Sequence, residues 1–200
     1  MFAPFPYTAI FFCSFVVSLI LSSTQLAAET SRWKTVGGWD VDFYPNSKGC
    51  LAYTVYTDGV AFFIGLTKSS DTLYFEMTLM NDKWKSIEDK KQYEVVVTLG
   101  NESPWTLEMT GVEFEDTWGM TFSTPASSEK AGQFVNEFMR EVNMEWTYNG
   151  QQLGFLSLSN SRAAFEEAVT CTKSYQDAIG GSSDPFDAGG NTKNDDPFAN

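Results

Sequence analysis

Lys48 to Thr67, KGCLAYTVYTDGVAFFIGLT, is the stretch on which the fold turns. Two runs of β-branched and aromatic residues, Leu51–Tyr56 and Val60–Leu66, flank the dipeptide Asp58-Gly59. That dipeptide supplies the positive backbone angles of a tight hairpin turn, so the stretch reads as two antiparallel strands. Gly65, inside the second strand, marks a bulge or a place where another backbone comes close.

Working outward, the same period recurs. Trp39 to Tyr44 alternates apolar and acidic, with Pro45 to Gly49 as a turn. Leu73, Phe75, Met77 and Leu79 share one face of a further strand. Tyr93–Leu99, Trp105–Met109, Val112–Phe114 and Trp118–Phe122 continue the strand-rich middle. Thr124 to Ser128 offers helix-start chemistry, with Pro125 suited to a first turn and Ser or Thr as cap. The helix then runs to about Val142, with Phe134, Val135, Phe138 and Met139 forming an apolar stripe. Asn149-Gly150 joins one more hairpin, Asn143–Tyr148 with Leu153–Leu158. A second helix, about Arg162 to Gln176, carries Ala164, Ala168, Cys171 and Tyr175 on one face. The predicted class is α+β: a single domain of mostly antiparallel sheet with two packed helices, over 29–178. Hairpins preceding each helix suggest two similar halves.

The ends read differently. Residues 1–28 carry no charged side chain, and the apolar run Thr8–Ser22 ends in small Ala27-Ala28. This is the pattern of an export signal cleaved near Ala28, without the usual basic n-region. An uncleaved anchor is the alternative, although the run is short for a bilayer span. Residues 179–200 are rich in glycine, serine, asparagine and aspartate and read as a disordered acidic tail. The tail holds a repeat, Asp184-Pro185-Phe186 and Asp196-Pro197-Phe198, the form of a short docking motif present twice.

The composition excludes more than it assigns. The chain has no histidine, which removes Ser-His-Asp and Cys-His nucleophiles and His-ligated zinc. Its net charge of −13 disfavours nucleic acid and anionic lipid as partners. Asp40 with Asp42, and Glu113 with Glu115 and Asp116, sit two or three apart as an acid–base couple would. Alternation places Asp40 and Asp42 opposite the apolar face, where charges are solvated and a raised pKa is not expected. Asp40, Asp42, Tyr44 and Asn46 match a calcium loop only superficially, without its glycine and closing glutamate. No phosphate loop, CxxC pair or basic run is present, so no cofactor or metal is expected.

Of six tryptophans, Trp84 stands in a polar stretch and is the best candidate for an exposed one that anchors a partner. If Cys13 leaves with the signal, Cys50 and Cys171 remain. They permit one bridge, or stay as two buried thiols.

The order of leader, Trp39-Asp40-Val41, Gly49-Cys50, the hairpin ending Ile64-Gly65, a helix, and Leu156-Ser157-Leu158-Ser159-Asn160-Ser161-Arg162-Ala163-Ala164 before Cys171 resembles a group of small exported proteins of alphaproteobacteria. A fainter similarity extends to the invasion-associated exported proteins of the same bacteria. The resemblance spans about Trp33 to Lys173. It implies a periplasmic location and a Cys50–Cys171 bridge, and it carries over no active-site residue. The expected function is that of an exported, non-enzymatic envelope protein, periplasmic or secreted, that binds a protein partner or an envelope polymer and is not membrane-embedded once the signal is cleaved. The alternatives are a glycan- or peptidoglycan-binding module with exposed aromatics, and a carboxylate-based hydrolase.

Overall fold

The computed structural model describes residues 30–180, apart from 57 and 115. The export signal and the Asp-Pro-Phe tail therefore lie outside the described residues. Ten strands form one antiparallel sheet: β1 (Ser31–Val36), β2 (Trp39–Tyr44), β3 (Gly49–Val55), β4 (Ala61–Ser69), β5 (Thr72–Asn81), β6 (Gln92–Leu99), β7 (Trp105–Phe114), β8 (Thr117–Pro125), β9 (Asn143–Tyr148) and β10 (Gln151–Ser157). Helix α1 (Glu129–Arg140) joins β8 to β9, and α2 (Ser161–Gly180) follows β10. The spatial order is β1-β2-β3-β4-β5-β8-β7-β6-β9-β10, curved into a half-barrel.

The deciding hairpin forms as its sequence requires. Cys50 pairs with Leu66 and Val55 with Ala61, and Gly59 takes φ +85° in the turn. Asn149 and Gly150 both have positive φ in the β9–β10 turn, as a two-residue hairpin of this kind needs. The inner face is largely apolar. Trp39, Phe62, Ile64, Phe75, Met77, Val95, Val97, Met144 and Trp146 are all buried there with Phe134 and Phe138 of α1. Trp39 meets the edges of Phe62 and Phe138 at 6.2 and 6.0 Å, a favourable aromatic geometry.

Several local readings are corrected. No strand was expected over Ser31–Val36. β1 is an edge strand whose residues are almost all exposed, so it lacks the buried face that periodicity detects. Both edge strands carry register breaks, between Arg32 and Lys34 and between Gln152 and Gly154, a common defence of exposed edges. Pro125 closes β8 instead of opening α1. The cap is Ser128, whose hydroxyl accepts from the Ala131 amide at 3.2 Å. β7 continues through Gly111, and the position is glycine because a side chain there would strike the Glu88 carbonyl oxygen in the overlying 82–91 loop. α2 starts at Ser161 and runs four residues beyond Gln176. The two suggested halves are one continuous sheet, with α1 the only α-helix inserted within it among the described residues.

The sheet divides at one place. The β7–β8 ladder stops at Thr110 opposite Thr121. Yet β5–β8 pairing continues to Pro125, and β6–β7 pairing continues to Trp105. The two strands part there, and α1 spans the opening: Phe134 lies 5.8 Å from Phe75 on one side and 5.5 Å from Trp105 on the other.

Helix α2 covers β1 to β4 and is fastened at several depths. Lys34 pairs with Glu167 at 2.5 Å, and Tyr175 stacks on Phe43 at 3.7 Å. Cys50 and Cys171 form a disulfide with Cα atoms 5.9 Å apart. Beside it, the buried Thr172 hydroxyl accepts from the Cys50 amide and donates to the Ala168 carbonyl. The start of α2 is tied to the β1–β2 turn, where Trp39 Nε1 donates to the Ser159 carbonyl and Asn160 Nδ2 to the Gly37 carbonyl.

Candidate functional site

With the inner face filled, the outer face of β2 to β5 and β8 holds the unusual side chains. Antiparallel register places Arg32, Asp42, Leu51, Gly65, Glu76 and Ser123 in one cross-strand row. Asp40, Tyr53, Phe63, Thr78, Thr121, Thr110 and Gln92 form the next row.

Asp42 overturns the expectation of a solvated carboxylate. The residue is only 8% exposed, and its Oδ1 is buried without a hydrogen-bond donor. Arg32 is drawn chiefly to the neighbouring Asp40, at 3.2 Å, and its Nε stands 3.8 Å from Asp42 Oδ1. Asp40 also accepts from the Thr35 hydroxyl at 2.6 Å. Burial raises the Asp42 pKa above the ordinary carboxylate value, and Arg32 offsets this in part. Alternation correctly placed Asp42 opposite the core. It could not reveal that Arg32 on β1, Tyr53 on β3 and Tyr44 on β2 itself stand around it.

Those tyrosines respond in turn. Burial, followed by the nearby Asp42 charge, raises the phenol pKa of both Tyr44 and Tyr53. Tyr53 is stacked on Phe63 with centroids 5.2 Å apart and planes 20° from parallel. Farther along the first row, Glu76 has a pKa raised by burial and accepts from the Thr67 hydroxyl at 3.0 Å. Its ladder neighbours are Gly65 and Ser123, which offer no charge. Gly65 has a steric reason to be glycine: a Cβ there would lie 2.2 Å from the Cys50 carbonyl oxygen. Hydroxyls continue the second row. Thr78 donates to Thr121 at 2.9 Å, and Thr110 hydrogen-bonds to Gln92.

The arrangement is a ledge of two aromatic rings, ion-paired and buried carboxylates, and hydroxyls, spread over several strands. Asp42 and Glu76 are three ladder steps apart. At about 4.8 Å per step their Cα atoms lie roughly 14 Å apart, beyond the ~5–9.5 Å carboxyl separation of glycosidases. Among the described residues, no cluster of three or more acidic or cysteine side chains is placed to hold a metal ion.

The other site residues anticipated from sequence fare as follows. Cys50 and Cys171 are brought together, and both are fully buried. Trp84 is half-buried and packs with Ile87 against the core, where the 82–91 loop covers β7. Trp33, at 37%, is the one exposed tryptophan. Glu113 and Asp116 are exposed, and Glu115 is outside the described residues. Asp184, Pro185, Phe186, Asp196, Pro197 and Phe198 also lie outside them. Sequence reasoning missed Tyr53, Phe63 and Glu76. The available signal was a glutamate in an otherwise apolar and hydroxyl-bearing strand, facing glycine across the hairpin.

A concavity lies on the helix side, between α1 and α2. Its volume is about 210 Å³, and its lining, including Leu66, Phe75, Val135 and Val169, is apolar. Among the described residues, no helix is long and apolar enough to cross a membrane. Comparison of the chain with protein-family models, curated proteins and solved structures finds no match.

Proposed function

We propose that the chain is an exported binding protein of the bacterial envelope that holds an envelope polymer or a protein segment on the outer face of β2–β5 and β8. The observation that carries this reading is the Tyr53–Phe63 stack set beside Asp40, Arg32 and a line of threonine hydroxyls on the outer face. An open ledge of rings and hydroxyls suits an extended ligand, which gains from stacking and repeated hydrogen bonds along its length. The disulfide supports the export part of the reading, since such bonds persist in oxidising compartments.

Co-sedimentation with purified peptidoglycan, and retention of envelope proteins on the immobilised chain, test the reading together. Tyr53→Ala combined with Phe63→Ala is expected to abolish whichever retention the unaltered chain shows. Retention unaffected by that double change would refute the outer face as the site. A ligand lost from peptidoglycan would identify a glycan-binding module, and loss of a discrete protein would identify a protein partner.

The raised pKa values of Asp42 and Glu76 favour a second reading, a carboxylate hydrolase. Their separation across three ladder steps argues against their working as a couple. Turnover of peptidoglycan fragments abolished by Glu76→Gln would reverse that judgement.

A further inference from the structure

We propose that the ligand of the outer face is a basic protein segment, whose lysine and arginine side chains meet a row formed by Asp42, Glu76, Glu108 and Glu94. This rests on the outer-face reading and narrows its ligand from a polymer or protein to a cationic peptide.

Strand pairing sets the row. Asp42, Leu51, Gly65, Glu76 and Ser123 follow one another across β2, β3, β4, β5 and β8. Two positions past the last β7–β8 pair, Thr110 with Thr121, Glu108 takes the next place after Ser123. Glu94 of β6 stands directly opposite Glu108. Asp40 flanks the row on β2, beside Tyr53. Six strand-to-strand steps separate β2 from β6. At about 4.8 Å each the row is at least roughly 29 Å long, the reach of an extended segment of about nine residues.

The strands contribute charge of one sign to this face. Lys68 is the only basic residue in β2 to β10, and alternation puts it on the face of Phe62 and Ile64, opposite the row. Cations approach the row at two places. Arg32 stands at its β2 end, and Lys130 of α1 lines a hollow of about 460 Å³ with Glu94 and Glu108. Among the described residues neither of these glutamates is ion-paired. Like charges directly opposite each other destabilise a sheet, so the pair is not explained by the fold. Elsewhere the chain sets opposite charges together, as in Arg32 with Asp40, Lys34 with Glu167 and Arg140 with Glu102. The carboxylate row complements an incoming line of positive charges.

Asp42 points to a ligand independently of the charge count. Its buried Oδ1 accepts no hydrogen bond, which is costly for a carboxylate. Arg32 is held by Asp40 at 3.2 Å, and its Nε, 3.8 Å from Asp42 Oδ1, is beyond hydrogen-bond reach. The Arg32 side chain is 60% exposed, so it can swing aside for a ligand at little cost. An ammonium or guanidinium entering there supplies the missing donor. Its charge-assisted bond is roughly twice as strong as one from a neutral sugar hydroxyl, which favours a basic peptide over a glycan. The Tyr53 and Phe63 rings in the adjacent row offer faces on which the cation or its alkyl stem can lie.

Titration of the intact protein with fluorescein-labelled decalysine, followed by anisotropy, tests this. Glu94→Gln combined with Glu108→Gln removes a repulsive contact, so the fold is retained, and it is expected to weaken binding about fivefold or more. Asp42→Asn keeps the side-chain shape and is expected to weaken binding several-fold. Glu166→Gln combined with Asp177→Asn, on the exposed side of α2, changes the net charge as much as the Glu94 and Glu108 pair does. It is expected to weaken binding less than twofold. Unchanged affinity in the Glu94 and Glu108 variant, a loss no greater than that of the α2 control, or no binding by the unaltered chain would overturn the proposal. Peptidoglycan retention separates this failure from that of the outer-face reading. If decalysine does not bind but peptidoglycan is retained and then lost in the Tyr53→Ala, Phe63→Ala chain, the outer face stands and the basic ligand falls. If retention survives that double change, the outer face falls as well.

Discussion

Removing the Cys50–Cys171 bridge tests the organisation of the whole domain. The bond joins residues 121 positions apart, the opening of β3 and the middle of α2. In the chain-entropy description, closing a loop of that length removes about 16 cal/mol/K from the unfolded chain, or about 5 kcal/mol at 25 °C. For a domain of this size, a loss of that order lowers the midpoint of thermal unfolding by about 10–20 °C. Neither sulfur is exposed, so each serine variant also leaves a small buried polar group. Thr172 still holds the Cys50 amide, and α2 remains packed on Phe43 through Tyr175, so the native arrangement persists without the bond. Cys50→Ser, Cys171→Ser and the double variant are each compared with the unaltered protein by urea denaturation. The double change is expected to cost little more than either single change, because the bond is already absent in both. Thiol labelling of the unfolded, unreduced protein provides the direct count. Two reactive thiols from this pair, or single-variant costs that simply add, would refute the bridge.

Other consequences follow from individual contacts. Thr172→Val keeps the side-chain shape but strands the buried Cys50 amide, so a loss of about 1–3 kcal/mol is expected in the same denaturation assay. Gly65→Ala would force a Cβ against the Cys50 carbonyl oxygen and push β3 from β4, costing about 1–3 kcal/mol or more; an unchanged midpoint would mean that the two strands are not so closely apposed. The raised pKa of Glu76 means that the folded state binds its proton more tightly than the unfolded state. Its contribution is therefore most favourable at low pH and declines as pH rises from the ordinary carboxylate value through the raised one. Glu76→Gln should gain stability relative to the unaltered protein at pH 7 and lose that advantage near pH 4, as followed by denaturation at each pH.

Much of the fold is legible without coordinates, for local reasons. Asp58-Gly59 and Asn149-Gly150 permit turns that most residues resist. The apolar alternation of Phe75, Met77 and Leu79 requires a buried sheet face, and Phe134 and Phe138 require a buried helix stripe. These signals act within a few residues, so they survive in one dimension. Even the bridge was readable, because two cysteines in the domain leave one pairing. β1 was not, since an exposed edge strand is held by its neighbour's hydrogen bonds and not by a pattern of its own.

What only the tertiary structure decided are properties that depend on which strands become neighbours. The order β5-β8-β7-β6 brings Thr78, Thr121, Thr110 and Gln92 into one row although they are scattered over 44 positions of chain. Asp42 lies on the side of β2 that alternation assigns to solvent, yet Arg32 and Tyr53 from the two flanking strands bury it. Glu76 is desolvated by burial, and the glycine and serine beside it on β4 and β8 supply no charge to offset it. Periodicity reports which face a side chain occupies. Desolvation depends on what the adjacent strands place over that face, which pairing across the sheet determines.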